Sequence, residues 1–447
     1  MNINLHDSRG YETISCDVLV VGGGAAGLAS AVTAARQGKN VVLLERYGFC
    51  GGGAVAGLSG TVCGLYLATQ HASAGPEQIV FGFTEEFCQG LSERGGLSDP
   101  IRYGETWTRV HDPLKWRMMA DHLLVQAGVT VIYHSVAMGV LIEGGEKTEG
   151  VIAWTKQGPL RINAQVTIDA SGDADVVAMA GLPDIIGDNG NVQNPTMIFH
   201  LQGVDMDRFL RQHGADTIMD ESVSALIVEK NRSGDYNLPR SKIWLFPTTQ
   251  PGELLCNCTR INGSDGRELN SLFYRDFSEA EINGRTQATE YARFFRDHLA
   301  GCENAWISDT APQVGIRQTR QLDGVGRLNN SHVVAGTKNR NSIARSAWPI
   351  ELHSGDRPRV QWLMDDYYDI PYDCFIPKHG TGLLTAGRCL SAEHEAVASA
   401  RVTAQCFAYG HAIGHAAAIA INNRLSPGDV SPDEIRTMLR CDGAHLD

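Results

Sequence analysis

Gly22, Gly24 and Gly27 stand in GxGxxG spacing inside CDVLVVGGGAAGLASAVTAARQGKNVVLLE, and this stretch ends on an acid, Glu45. Those types at that spacing suit one task, holding the pyrophosphate of a dinucleotide. Gly22 allows a tight exit from a strand, Gly24 removes a Cβ so that backbone can approach phosphate, and Gly27 lets a helix pack closely on the strand. The helix that starts around Ala25 and Ala26 aims free N–H groups and a positive dipole end at the anion. Glu45 is placed to accept hydrogen bonds from ribose hydroxyls.

Three elements must position these residues. An apolar run, Val18 to Val21, predicts the first strand, the Ala-rich segment after Gly24 predicts a helix, and Asn40 to Leu44 predicts a second strand parallel to the first. Beyond Glu45 the chain reads RYGFCGGGAVAGLSG, from Arg46 to Gly60, and carries Gly51, Gly52 and Gly53 at its centre. Such a segment provides close backbone for a flavin with its ribityl chain; an ordinary surface loop is the other reading. Two distant segments shift the balance. Val166 to Asp175, VTIDASGDAD, is a short strand running into a turn with Ala170, Gly172 and Asp173, and LLTAGRCLS repeats the plan with Gly387 and Arg388.

Taken in order, GGGAAGLASAVTAARQG, CGGGA, IDASGDADVVAMAG, GIRQTR, IARSAWPIELH, IPYDCFIPK and AGRCLSAEHEAVASARVTAQCFAYGHAIGHAAA resemble the FAD-dependent oxidoreductase family related to the flavoprotein core of heterodisulfide reductase. The resemblance runs from about Cys16 to Ile421. It implies an α/β fold, a Rossmann-like FAD/NAD(P)-binding domain with an inserted α+β substrate or cap domain, and FAD as cofactor. It also implies that Gly387 and Arg388 lie along the ribityl and pyrophosphate, and that His394 and Arg401 stand near the flavin ring.

Hydride transfer to a flavin needs a partner for the accompanying proton and donors where negative charge develops. A helix expected over 396–421 meets the second need if its N-terminus faces the ring. His394 titrates near neutrality and is the first candidate for acid or base; a helix cap or a bond to a neighbouring carboxylate is its structural alternative. Arg401 stays charged, so it anchors an anion, stabilises a developing one, or pairs with Glu393 or Glu395. Arg317, Arg320 and Arg345 are candidate substrate anchors that would select a carboxylate bidentately, with surface ion pairs as the alternative. His353, closing IARSAWPIELH, is a third catalytic candidate.

His411 and His415 have the i, i+4 spacing of zinc ligands, yet HAIGH lacks the glutamate of HExxH and signals no third ligand. A packed helix face relieved by Gly410 and Gly414 is expected, and no metal. The cysteines form no CxxC motif, which leaves cluster ligation and dithiol relay without support. Cys374 and Cys389 are buried apolar residues or points of covalent flavin attachment.

With 447 residues, 43% hydrophobic, the chain can bury two domains. A discontinuous FAD-binding domain is expected over 14–183 and 373–425, a cap over 184–372, and a C-terminal helix and tail over 426–447. A net charge of −13 argues against nucleic acid and anionic lipid as partners. No signal peptide or membrane helix is read from the sequence, and eleven cysteines without a paired framework point to the cytoplasm. Self-association is left open. Without a second GxGxxG unit for NAD(P)H, the expected reaction is hydride transfer from a small anionic metabolite to the flavin, by a dehydrogenase or oxidase. Two alternatives stand beside it: a monooxygenase or reductase fed by a partner protein, and an electron-relay or regulatory component.

Overall fold

The computed structural model describes residues 12–71, 75–353 and 356–446, so the leading segment 1–11, where a signal peptide would begin, lies outside the described residues. Six strands of the main sheet come from the first part of the chain: β1 (Glu12–Val21), β2 (Val41–Leu44), β3 (Thr130–Ile132), β4 (Val136–Glu143), β5 (Lys147–Thr155) and β6 (Gly158–Asp169). Their order is β3-β2-β1-β6-β5-β4, and a seventh strand, Leu383–Thr385, pairs with β6. The four contacts among β3, β2, β1, β6 and the returning strand are parallel, while β4 and β5 form an antiparallel extension. Parallel strands with buried faces explain the continuous Val and Leu runs of β1 and β2.

Seven helices matter to the site: α1 (Ala25–Arg36), α2 (Phe83–Glu93), α3 (Pro113–Ala127), α4 (Tyr274–His298), α5 (His394–Ala400), α6 (Thr403–Asn423) and α7 (Pro432–Cys441). Nucleation is locally encoded in α3, where the Asp112 carboxylate accepts from the N–H groups of Leu114 and Lys115, Pro113 takes the first helical position, and left-handed Gly128 ends the helix. Apolar on every side, α6 is buried along most of its length, as such a helix must be. Its Gly410 lies against α1 so closely that a Cβ would meet the Ala26 carbonyl oxygen at 2.1 Å, and a Cβ on Gly414 would meet that of Ser30 at 2.7 Å. The two glycines thus set the approach of α6 to the nucleotide helix.

The expected single helix over 396–421 is two helices. Val402 is extended, with φ −74° and ψ 162°, and the N–H of Ala404 turns to the Cys63 carbonyl oxygen at 3.1 Å. Arg401 and Val402 therefore form a junction, and the helix end they expose belongs to α6.

A second, antiparallel sheet of four strands is built from Phe199–Gln202, Trp244–Pro247, Glu253–Asn257 and Trp306–Thr310. It shares an apolar cluster with α4, whose buried Ala280, Gly284, Ala288, Tyr291, Ala292 and Phe295 recur at helical spacing. The sequence reading places all of 184–372 in this inserted region. In the structure Leu328, Ile343, Ile350, Tyr368 and Ile370 are buried in the same cluster as α1 and α6, so this part of the insertion packs with the nucleotide-binding core.

Candidate functional site

A cavity of about 340 Å³ runs between the two sheets. One end is almost entirely backbone. Gly22, Gly24, Ala26, Glu45, Arg46, Gly51, Gly52, Gly53, Ala170, Gly172, Gly387 and Arg388 line it. Gly22 has φ +103°, and a Cβ there would meet the Ala170 carbonyl oxygen at 2.5 Å; a Cβ on Gly27 would meet that of Gly22 at 1.8 Å. Gly27 is therefore a packing glycine that does not reach the cavity. Gly53 has no atom within 4 Å of its Cβ position, and Gly24 has only the Gly52 Cα, at 3.8 Å. That open space adjoins the start of α1, whose N-cap, Gly24, has no side chain to satisfy the free N–H groups.

Glu45 is fixed by two backbone donors, the N–H of Gly23 to Oε2 at 2.7 Å and that of Tyr47 to Oε1 at 2.9 Å. A carboxylate has acceptor capacity beyond these two bonds for a further donor. Asp173 is not on the cavity surface. Its carboxylate accepts from Arg388 Nη2 at 2.8 Å and from Thr319 Oγ1, so it positions Arg388, which is on the surface.

The other end is built of side chains from distant segments: Tyr103, Asn257, Arg317, Trp348, Glu351, His353, Arg401 and Thr403. The Tyr103 hydroxyl donates to Glu351 Oε1 at 2.9 Å, and His353 Nε2 lies 3.4 Å from the same oxygen. Burial opposes the charge on Glu351, but hydrogen bonds from His353 and Tyr103 and the Arg240 charge outweigh it and keep the carboxyl below its usual range. His353 is driven the other way, well below the usual imidazole range, by burial and then by the Arg317 charge. The pair is thus an ionised carboxylate beside a neutral imidazole. Arg317 donates to the Asn194 carbonyl oxygen at 3.1 Å and to Asn257 Oδ1 at 3.3 Å, and Arg240 donates to that same Oδ1 at 3.1 Å while lying over Trp244. Arg401 donates to Gln193 Oε1 at 3.1 Å.

The other sequence candidates go elsewhere. His394 opens α5 half-buried and is not on the cavity surface. Glu393 and Glu395 are engaged by the Asn330 N–H and by Arg359, so neither is the partner of Arg401. Arg320 pairs with Asp175 at 2.6 Å and donates to the Asp173 carbonyl oxygen. Arg345 donates to the Ile79 carbonyl oxygen and lies over the Tyr367 ring. Arg320 thus takes the ion-pair alternative, and Arg317 converges with Arg240 and Arg401. Cys374 and Cys389 are buried off the cavity surface, and the thiols on it are Cys63 and Cys406. All eleven cysteines are unbridged.

His411 and His415 do have a third group beside them, which the sequence reading did not find. Asp442, just past α7, places Oδ2 at 2.9 Å from His411 Nε2 and 2.8 Å from His415 Nε2. The Phe83 N–H points at His411 Nδ1, 3.4 Å away, which assigns the ring proton to Nε2 and makes that nitrogen a donor to Asp442. Nδ1 of His415 has no acceptor within reach. A metal-bound imidazole ordinarily donates its other N–H, and neither ring is set up to do so. The group is a hydrogen-bonded latch of the C-terminal segment onto α6.

The family model described as FAD dependent oxidoreductase matches residues 17–439. The chain belongs to that family. As an FAD-dependent oxidoreductase it is similar over 47 residues, at 51% identity, to 4-oxocyclohex-2-ene-1-carboxylate 5-dehydrogenase of Sinomonas cyclohexanicum, a match covering 10% of this chain and 8% of that protein. Over 40 residues, at 62% identity, it is similar to urocanate reductase of Eggerthella lenta, covering 9% of this chain and 7% of that protein. The matched segments thus span less than a tenth of either relative. Among solved structures, a geranylgeranyl bacteriochlorophyll reductase-like protein of Thermoplasma acidophilum aligns with 96% of this chain and 83% of its own, at 16% identity and a TM-score of 0.51, a likeness of fold.

FAD fits the backbone end of the oxidoreductase. The open space at Gly24 and Gly53, the uncapped start of α1 and the free lone pairs of Glu45 match a pyrophosphate and a ribose. Thr403, at the start of α6, is also on the cavity surface, so the positive end of a long buried helix faces the middle of the cavity. Sequence reasoning missed Tyr103, Asn257, Glu351 and Arg240. For Glu351 a signal existed: it stands in the strand Ile350–Leu352, two residues before His353 just past its end, a spacing that puts both on one face of an extended chain. Asn257 was passed over between Cys256 and Cys258, and nothing local marks Tyr103.

Proposed function

We infer that this FAD-dependent oxidoreductase takes a hydride from a small anionic metabolite, acting as a dehydrogenase or oxidase. The observation that carries the reading is a single cavity with the glycine turn at one end and Arg317, Arg401, Glu351 and His353 at the other. Bound FAD supplies the hydride acceptor. Gly22, Gly24, Ala26, Glu45, Arg46, Gly51, Gly52, Gly53, Ala170, Gly172, Gly387 and Arg388 hold it, with Gly27 and Asp173 in support. Arg317 and Arg401 orient the substrate anion by charge-assisted hydrogen bonds. Neutral His353, backed by ionised Glu351, accepts the substrate proton, and the resulting imidazolium is stabilised by that carboxylate.

The two curated relatives act on 4-oxocyclohex-2-ene-1-carboxylate and urocanate, by their names, but the matched segments are short and the arginines carry the argument. We place the protein in the cytoplasm, where unbridged cysteines stay reduced, and relate it to the flavoprotein core of heterodisulfide reductase through its glycine, arginine and histidine motifs. Among the described residues no helix is long and apolar enough to cross a membrane.

The test is anaerobic mixing of the FAD-loaded protein with a panel of small carboxylates, followed at the visible flavin bands. Bleaching by a carboxylate and not by NADH or NADPH is expected. Rapid bleaching by either nicotinamide would reverse the proposed direction of electron flow.

A further inference from the structure

Among the described residues neither Arg240, Arg317 nor Arg401 reaches a carboxylate within 4.0 Å, whereas Arg320, Arg357, Arg359 and Arg388 each do, at 2.5–2.8 Å. Arg240 and Arg317 are buried, at 2% and 7% exposure. They share one neutral acceptor, Asn257 Oδ1, and Arg401 rests on another, Gln193. Glu351 is the carboxylate whose charge reaches all three. With His353 neutral, the guanidinium charges of Arg317 and Arg401 on the cavity surface and of Arg240 behind it face one carboxylate charge, two positive charges in excess. Buried charge without a partner is strongly unfavourable, so a fold that keeps such an excess does so for a ligand that cancels it.

The cofactor does not cancel it. A pyrophosphate held at the glycine turn would meet Arg46 and Arg388; Arg388, whose charge also reaches Arg401, is already paired with Asp173, and the oxidised isoalloxazine ring is neutral. The charge must arrive with the substrate, before any electron moves. We propose that the substrate is a small dicarboxylate, one carboxylate held by Arg317 backed by Arg240 through Asn257, and the other by Arg401 beside the α5–α6 junction. This rests on the reading of the cavity as a substrate site. Burial, followed by repulsion from Arg240 and Arg401, pulls Arg317 well below the usual guanidinium range, and burial brings Arg401 down to about 10. A dianion would restore both.

The experiment uses the FAD-loaded protein and probe pairs that differ by one carboxylate: succinate against butyrate, fumarate against crotonate, glutarate against pentanoate. Binding is read twice, from perturbation of the flavin absorbance and from the rise in thermal midpoint, so turnover is not required. At least one dicarboxylate is expected to bind tenfold or more tightly than its matched monocarboxylate, and Arg317→Gln and Arg401→Gln are each expected to remove that preference. Monocarboxylates binding as tightly as their dicarboxylate partners would overturn the proposal. If a monocarboxylate also bleaches the flavin, the oxidoreductase reading survives while the dicarboxylate assignment falls. If no carboxylate of either kind binds, both fall.

Discussion

The two ends of the cavity are made in opposite ways. At the nucleotide end, recognition is backbone: glycines that clear space, a helix start that supplies N–H groups, and one acid, Glu45, fixed by two of its neighbours' amides. At the arginine end it is side chains, drawn from Tyr103 through Thr403 and held by bonds between residues up to 342 positions apart. A backbone site tolerates no added atoms but is indifferent to most side chains around it. A side-chain site is the reverse, since single charges set it and conservative changes in packing do not.

The sharpest break in this contrast is steric. Gly27→Val puts a branched side chain where a Cβ already meets the Gly22 carbonyl oxygen at 1.8 Å, so the turn and α1 cannot both keep their places. Overpacking of this kind costs about 3 kcal/mol or more, and FAD retention should be lost with it. The check is the ratio of visible to ultraviolet absorbance after purification together with the thermal midpoint. A stable, fully yellow variant would refute the close-packed turn.

Charge provides the next break. Arg317→Met should lower carboxylate affinity by about 100-fold, roughly 2.7 kcal/mol, through loss of a charge-assisted anchor. The thermal midpoint of the FAD-loaded protein without substrate should hold or rise, because a buried charge repelled by Arg240 and Arg401 is gone. Titration of carboxylates and a melting curve read the two effects separately. A loss of both stability and affinity would make Arg317 a structural residue.

This contrast also explains what could be read from the chain. The nucleotide end was legible because its physics is local: strand, turn, helix and second strand lie within Cys16–Glu45, and the turn geometry demands glycine. The bounds of the helix Pro113–Ala127 are written locally in the same way, since its cap, Asp112, and its stop, Gly128, flank it in sequence. The arginine end was half legible. Arg317, Arg401 and His353 stand where short motifs suggested, but Arg320 and Arg345, equal to them in sequence context, are spent on Asp175 and on the Ile79 carbonyl. Which guanidinium meets a local acid is decided by tertiary packing. The break at Val402 was hidden because 396–421 has no proline or glycine at the junction, and the carbonyl that draws the Ala404 N–H away belongs to Cys63.

A pair of alanine variants sharpens the side-chain end. Arg401→Ala should slow flavin reduction by about 10-fold to 100-fold, on the order of 1.4–2.7 kcal/mol, since it removes a charge from the cavity surface. His394→Ala should leave the rate within about twofold, because His394 is not on that surface. Stopped-flow reduction by a saturating substrate distinguishes them. Equal slowing in both variants would return His394 to the chemistry.

The smallest effect lies outside the cavity and separates a structural histidine from a chemical one. Burial, and then the neighbouring His411, lower His415 from 6.5 to about 4, and its two hydrogen-bonding imidazole neighbours hold Asp442 at about 2. An unfolded chain takes up the His415 proton near 6.5 while the folded one declines it until about 4, so this contribution is complete above 6.5 and is lost as pH falls toward 4. The depressed Asp442 adds stability that is present above 3.8 and fades as pH falls toward 2. Melting curves from pH 8 to pH 4 should therefore be flat at first and then decline, and His415→Gln should flatten the decline without changing carboxylate affinity. His353 is also depressed, so His353→Gln should flatten the same window, but with loss of the reductive rate. Identical behaviour of the two variants would erase the distinction. A zinc-dependent rise in midpoint reversed by chelator would show that His411, His415 and Asp442 bind metal and not one another.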